Sequence, residues 1–109
     1  LTRNSIRRAK RVMAANQLAL DESQQQLRKE IDQAVLNARN AAERLRSSQK
    51  SEESGSIAFA FERDKFEAGR STFYNLTLAS QRLRTARENA VQAKYELLIR
   101  RKILETYSQ

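Results

Sequence analysis

Proline is absent from all 109 residues, and glycine occurs only at Gly55 and Gly69. A chain with so few breakers has few places to turn. Its length allows one domain at most. Fifteen of its hydrophobic residues are Ala, so large apolar side chains able to fill a compact core are scarce. These constraints point to an all-α chain of very few, very long helices, each burying one narrow stripe.

Two segments offer punctuation. In Ala68-Gly69-Arg70-Ser71-Thr72, Gly69 can take the left-handed conformation that ends a helix. Ser71 or Thr72 can then cap the next helix by accepting a bond from an orphan N–H. The other segment, Ser51-Glu52-Glu53-Ser54-Gly55-Ser56, is weaker. A glycine inside a helix costs about 1 kcal/mol relative to Ala, and the surrounding residues tolerate helix.

Phase decides between them. After Gly69, a seam runs through Leu76, Ala79, Leu83, Ala86, Ala90, Ala93, Leu97, Arg100, Leu104 and Tyr107. Before it, a matching seam runs through Leu27, Ile31, Ala34, Ala38, Ala41, Leu45, Ser48, Glu52, Gly55, Phe59, Glu62 and Phe66. Both advance in alternating steps of three and four, the rhythm of a coiled coil. The rhythm passes Gly55 without a slip, so the helix is expected to continue there and reverse at 68–72.

Folding the seams together gives a long antiparallel coiled-coil helical hairpin with unequal arms, about 3–67 and 72–107, roughly 100 Å and 50 Å long at 1.5 Å per residue. Partner numbers sum to about 141 in this register. Phe66 is then expected to meet Leu76 or Tyr74, Gly55 to face Ala86, Ser48 to face Ala93, and Leu45 to face Leu97. Small residues opposite small residues allow a close approach of the two backbones. Residues 1–33 are left without a partner, yet Ile6, Met13, Leu20 and Leu27 repeat one heptad apart. A second apolar edge, through Val12, Val35, Ala42, Val91 and Leu98, suggests lateral packing against two neighbours.

Composition narrows the chemistry. Without Cys or His, thiolate and imidazole metal sites, Cys or His nucleophile pairs and disulfides are excluded. The carboxylate pairs Asp21/Glu22 and Glu52/Glu53 are adjacent on helix surfaces with no second group converging on them. The chain therefore reads as non-enzymatic, with no cofactor. No stretch approaches 18 apolar residues, so no helix is expected to span a bilayer. A start at Leu1, with a helical pattern already running, suggests a segment of a larger protein.

The net charge of +8 raises the question of an anionic partner. Arg3, Arg7, Arg8, Lys10 and Arg11 precede Met13, Leu20 and Leu27, a pattern faintly like a basic-region zipper. Ala34, Ala41 and Ser48 then take the next heptad positions, a poor choice for a two-stranded parallel coil, and a solvated basic face is the better reading. Arg100, Arg101 and Lys102 near the second helix's end are expected to oppose its dipole. Arg82, Arg84 and Arg87 read as solvating charge. Phe59, Phe61, Phe66, Phe73 and Tyr74 gather near the turn and read as packing that holds the tip together, with Phe61 facing a neighbouring hairpin; the alternative is an apolar docking surface, for which Phe73 and Tyr74 are the candidates. Asn75-Leu76-Thr77 fits a glycosylation pattern but falls on an expected helix.

Several of these features together resemble the TolC family of outer-membrane efflux channels, specifically the C-terminal of its two structural repeats. The resemblance rests on Phe66-Glu-Ala-Gly69-Arg-Ser-Thr72, then Leu76, Ala79, Leu83 and Ala86, then Gln92-Ala93-Lys94-Tyr95-Glu96-Leu97-Leu98 and Ile103-Leu104. The opening Leu1-Thr-Arg-Asn-Ser-Ile-Arg-Arg-Ala-Lys10 is similar to the stretch that follows a strand leaving the membrane barrel. The unequal arms match as well, and the resemblance covers essentially the whole chain.

That resemblance implies a single periplasmic α-hairpin, residues 1–109 with its tip at 68–72, from a channel of a Gram-negative outer membrane. The full-length protein would be a homotrimer with a transmembrane β-barrel. The tip residues Ala68, Gly69, Arg70, Ser71 and Thr72 would dock onto a periplasmic adaptor (membrane fusion) protein of a tripartite pump, and through it indirectly onto an inner-membrane pump. Asn75 and Leu78 would line the pore constriction. Well-studied members carry acidic residues at those two positions, so a polar/apolar constriction replaces a charged gate here. The alternatives are a helical-hairpin scaffold module without a pore role and, less favoured, a basic nucleic-acid-binding coiled coil; the channel reading implies no nucleic acid partner.

Overall fold

The computed structural model describes residues 2–108. Leu1, where the resemblance begins, and Gln109 lie outside the described residues. Two helices occur among the described residues: α1, Arg3–Glu67, and α2, Phe73–Thr106. No strand occurs among the described residues, and no helix there is long and apolar enough to cross a membrane.

The chain divides into two units, one up to Ala34 and one from Val35 onward. In the first, every described residue from Thr2 to Glu30 is exposed. Ile6 is 46% exposed, Met13 69%, Leu20 51% and Leu27 49%, so the heptad stripe lies open. Local side-chain bonds, such as Gln17 Nε2 to Asp21 Oδ1 at 3.1 Å, run one turn along the helix. Ile31 and Ala34, at the unit's last turn, are half-buried and buried.

The second unit is the helical hairpin. Its seam follows the three-four rhythm from Ala38 to Glu62 and from Leu76 to Leu104, with each seam position buried or half-buried. The buried apolar residues are Ala41, Leu83, Ala90, Ala93 and Leu97. Arg44 Nη1 meets Glu96 Oε2 at 2.5 Å, and Glu52 Oε1 lies 3.8 Å from Arg87 Nε. Partner numbers fall on α2 as they rise on α1, so the helices are antiparallel. Ser48 and Ala93 line one groove between the helices, as expected.

Gly55 sits within unbroken helix. A methyl group there would lie 3.6 Å from Leu83 Cα and 3.9 Å from Ala86 Cβ. The helix passes so near its partner's backbone that a larger side chain would have no room. Both distances are nevertheless ordinary van der Waals separations, so alanine fits.

Phe66 meets the ring of Phe73, with centroids 6.3 Å apart, a contact the seam pattern did not anticipate. Two local expectations change. Arg87 is not merely solvating, because it pairs with Glu52. The last turn of α2 holds no basic residue; Arg100, Arg101 and Lys102 stop short of it, and Lys102 lies 3.6 Å from Glu105. The dipole's influence falls off within the last turn.

The packing at position 55 gives a signed prediction. Gly55→Ala is expected to stabilise the chain by about 0.5–1 kcal/mol, because alanine orders into a helix at lower entropic cost. Gly55→Leu is expected to destabilise it by about 1–3 kcal/mol through overpacking against Leu83. Denaturant midpoints of the two variants check both signs.

Candidate functional site

The reversal between the helices is built from backbone bonds. The Gly69 N–H donates to Phe66 O at 3.0 Å, and the Arg70 N–H donates to Lys65 O at 2.8 Å. This nested pair is a Schellman motif, which satisfies carbonyls the end of α1 would otherwise leave unpaired. It requires a left-handed residue, and Gly69 has φ +75°. A Cβ at Gly69 would meet nothing within 4 Å, so glycine is needed for its backbone and not for space.

Of the two capping candidates, Thr72 is the N-cap of α2, with extended φ −100° and ψ 156°. Its Oγ1 accepts the Asn75 N–H at 3.1 Å, and its carbonyl accepts the Leu76 N–H at 3.1 Å. Ser71 has a different task. Its hydroxyl donates to Glu62 Oε1 across the turn. Glu62 is a polar interruption of the α1 seam, and this bond gives its half-buried carboxylate a partner. Sequence reasoning did not assign that role, since the only signal was a charged residue at a seam position near the reversal.

The five turn residues form one contiguous surface. Ala68, Gly69, Arg70 and Thr72 are exposed, and Ser71 is half-buried. Phe73 and Tyr74 are 72% and 73% exposed at the start of α2, so both rings stand mostly in solvent, although Phe73 also touches Phe66. On α1, Phe61 is 64% exposed, and Lys65 Nζ lies 5.5 Å from its ring centroid.

Asn75 and Leu78 come together in a second feature, a groove of ≈ 400 Å³ between the helices. Gly55, Ala58 and Glu62 line one side; Asn75, Leu78 and Arg82 line the other. The small residues on α1 open the groove. Asn75 is exposed at its mouth and Leu78 is half-buried. The turn and this groove share Glu62, so the two sets of candidate residues adjoin.

The arrangement offers exposed contact surface at the turn and a groove beside it. Among the described residues, no three His, Cys, Asp or Glu side chains gather to hold a metal. The hydrogen bond and charge of Arg46 hold the Glu43 carboxyl below the usual carboxylate range, but that pair stands on open surface away from the turn.

The family model described as "Outer membrane efflux protein" matches residues 2–108. No curated protein and no solved structure matches the chain.

The turn's parts separate by mutation. Gly69→Ala is expected to cost about 1–2 kcal/mol, all of it backbone strain. Thr72→Ala is expected to cost about 1 kcal/mol, and Thr72→Ser to retain most of the cap. Ser71→Ala is expected to speed amide exchange at 69–72, whereas Glu62→Gln, whose carbonyl still accepts, leaves it nearly unchanged. Unfolding midpoints and residue-resolved hydrogen exchange measure these effects.

Proposed function

The chain belongs to the outer membrane efflux protein family, and from that premise we propose that it forms the periplasmic helical hairpin of a trimeric export channel. The turn at 68–72 docks onto a periplasmic adaptor protein, which links the channel to an inner-membrane pump. The observation that carries this reading is the family match over residues 2–108. The exposed, backbone-determined turn supports the docking role. Its Schellman and N-cap bonds use main-chain groups and the Thr72 hydroxyl, which leaves the Arg70 side chain free to meet a partner.

Lateral assembly has its own support. Leu36, Ile57, Phe61, Val91, Tyr95 and Leu98 are each between 49% and 65% exposed, and none is on the intramolecular seam. Val91 and Leu98 belong to the second apolar edge read from the sequence. Exposed apolar residues recurring along both helices suit contacts with neighbouring hairpins. In the first unit, Ile6, Met13, Leu20 and Leu27 present a similar open stripe. In a closed ring of such hairpins, the face carrying Asn75 and Leu78 turns toward the conduit, and these residues form its polar/apolar constriction.

The docking role is tested at the glycine. Gly69→Pro cannot adopt φ +75° and removes the N–H given to Phe66. It is expected to abolish adaptor binding by the full-length channel while changing its far-ultraviolet circular dichroism by only a few per cent. Binding that survives the substitution unchanged removes the turn from the interface.

A further inference from the structure

From Phe73 to Arg87, α2 contains three arginines and no Asp or Glu. They are not equivalent. Arg87 lies beside Glu52 on α1. Arg82 and Arg84 form no ion pair among the described residues. These two lie only two positions apart, so they point to different sides of the helix. Arg82 follows Asn75 and Leu78 by seven and four residues and lines the same groove. Across it, the Glu62 carboxylate is half-buried and accepts the Ser71 hydroxyl. Arg82 is therefore the exposed, unpaired charge on the face that carries Asn75 and Leu78.

We propose that Arg82 is the charge-selective residue of the conduit and gives it a preference for anionic solutes. This rests on the reading of Asn75 and Leu78 as constriction residues. Seven residues along α2 place Arg82 about 10 Å from the level of Asn75. That spacing is close to one Debye length at about 0.1 M salt, over which the charge is attenuated and not abolished, so it still biases ions approaching the constriction. Symmetry in a trimer turns one arginine into a ring of three, and a ring of cations raises the local concentration of anions. Asn75 and Leu78 bear no charge to oppose it, and the acid lining the same groove, Glu62, is half-buried and turned to the Ser71 hydroxyl, whereas Arg82 is exposed.

The test uses the full-length channel in planar bilayers under a potassium chloride gradient. The unmodified channel is expected to favour chloride. Arg82→Gln is expected to bring the chloride-to-potassium permeability ratio to parity, Arg82→Glu to invert it, and Arg82→Lys to preserve it. Arg84→Gln, on another side of the helix, is expected to leave the reversal potential within a few millivolts. A reversal potential unmoved by Arg82→Gln and Arg82→Glu overturns the proposal. Asn75→Cys, treated with a charged thiol reagent, separates the two levels of inference. Conductance that falls on labelling keeps the constriction reading even if the Arg82 variants are silent. Conductance unaffected by labelling removes the constriction reading and the selectivity proposal together.

Discussion

Two helices in this hairpin can approach closely only because small residues meet along their seam. At Gly55 the α1 backbone comes so near α2 that a methyl group would already touch Leu83 Cα. Of the five buried residues in the hairpin unit, three are alanines and only Leu83 and Leu97 are large. Burying one leucine contributes roughly 1.5–3 kcal/mol, and an alanine methyl much less. The seam thus offers proximity more than hydrophobic area. Many large apolar side chains stand elsewhere, on faces that remain open in the single chain. A hairpin built this way leaves much apolar surface available to neighbours, which is the surface the proposed lateral assembly would cover.

The turn inverts that relation. Its geometry comes from within the chain: two main-chain bonds onto the end of α1, one left-handed glycine and one threonine cap. The surface it presents is correspondingly independent of its construction. Arg70 contributes its backbone N–H to the motif and leaves its guanidinium in solvent. Side chains at such a tip can change to suit a partner while the reversal keeps its shape, whereas Gly69 and Thr72 cannot change without cost.

What the sequence disclosed, and what it hid, follows from the range of the interactions involved. Gly69, the unbroken phase past Gly55 and the ends of both arms were legible because local conformation and a simple period determine them. The choice of Thr72 over Ser71 as cap depended on one residue's backbone angles, which composition does not reveal. The Ser71–Glu62 bond spans nine residues across a reversal, so it becomes visible only once the turn has a shape. The contact of Phe66 with Phe73 arises because the tight turn brings the first residue of α2 back onto the last turn of α1. The groove shared by Asn75, Leu78 and Arg82 was half legible: helical spacing places the three on one face, but the small residues that open it come from the opposite helix. The proposed roles in docking and conduction rest on resemblance to a family, since no pattern of charge or period in a lone hairpin encodes its partners.

A seam of alanines is also poor at choosing its own register, since one alanine fits opposite another almost equally well one heptad away. The ion pairs across the hairpin break this degeneracy. Arg44 on α1 meets an acid on α2, while Glu52 on α1 meets a base. A slip by one heptad would set Arg44 opposite Asn89 or Ile103, and Glu52 opposite Ser80 or Lys94. Only the Lys94 alternative retains an attraction, and it forfeits the Arg44–Glu96 pair. Exposed pairs contribute no more than about 1 kcal/mol each, so they add little to stability. Their opposite senses discriminate against slipped alignments, and the short turn enforces the same choice by leaving no slack. Register matters to the proposed constriction because it determines which α1 residues lie opposite Asn75, Leu78 and Arg82. The groove exists where Gly55 and Ala58 pass those positions, and a slipped seam would bring other side chains there instead.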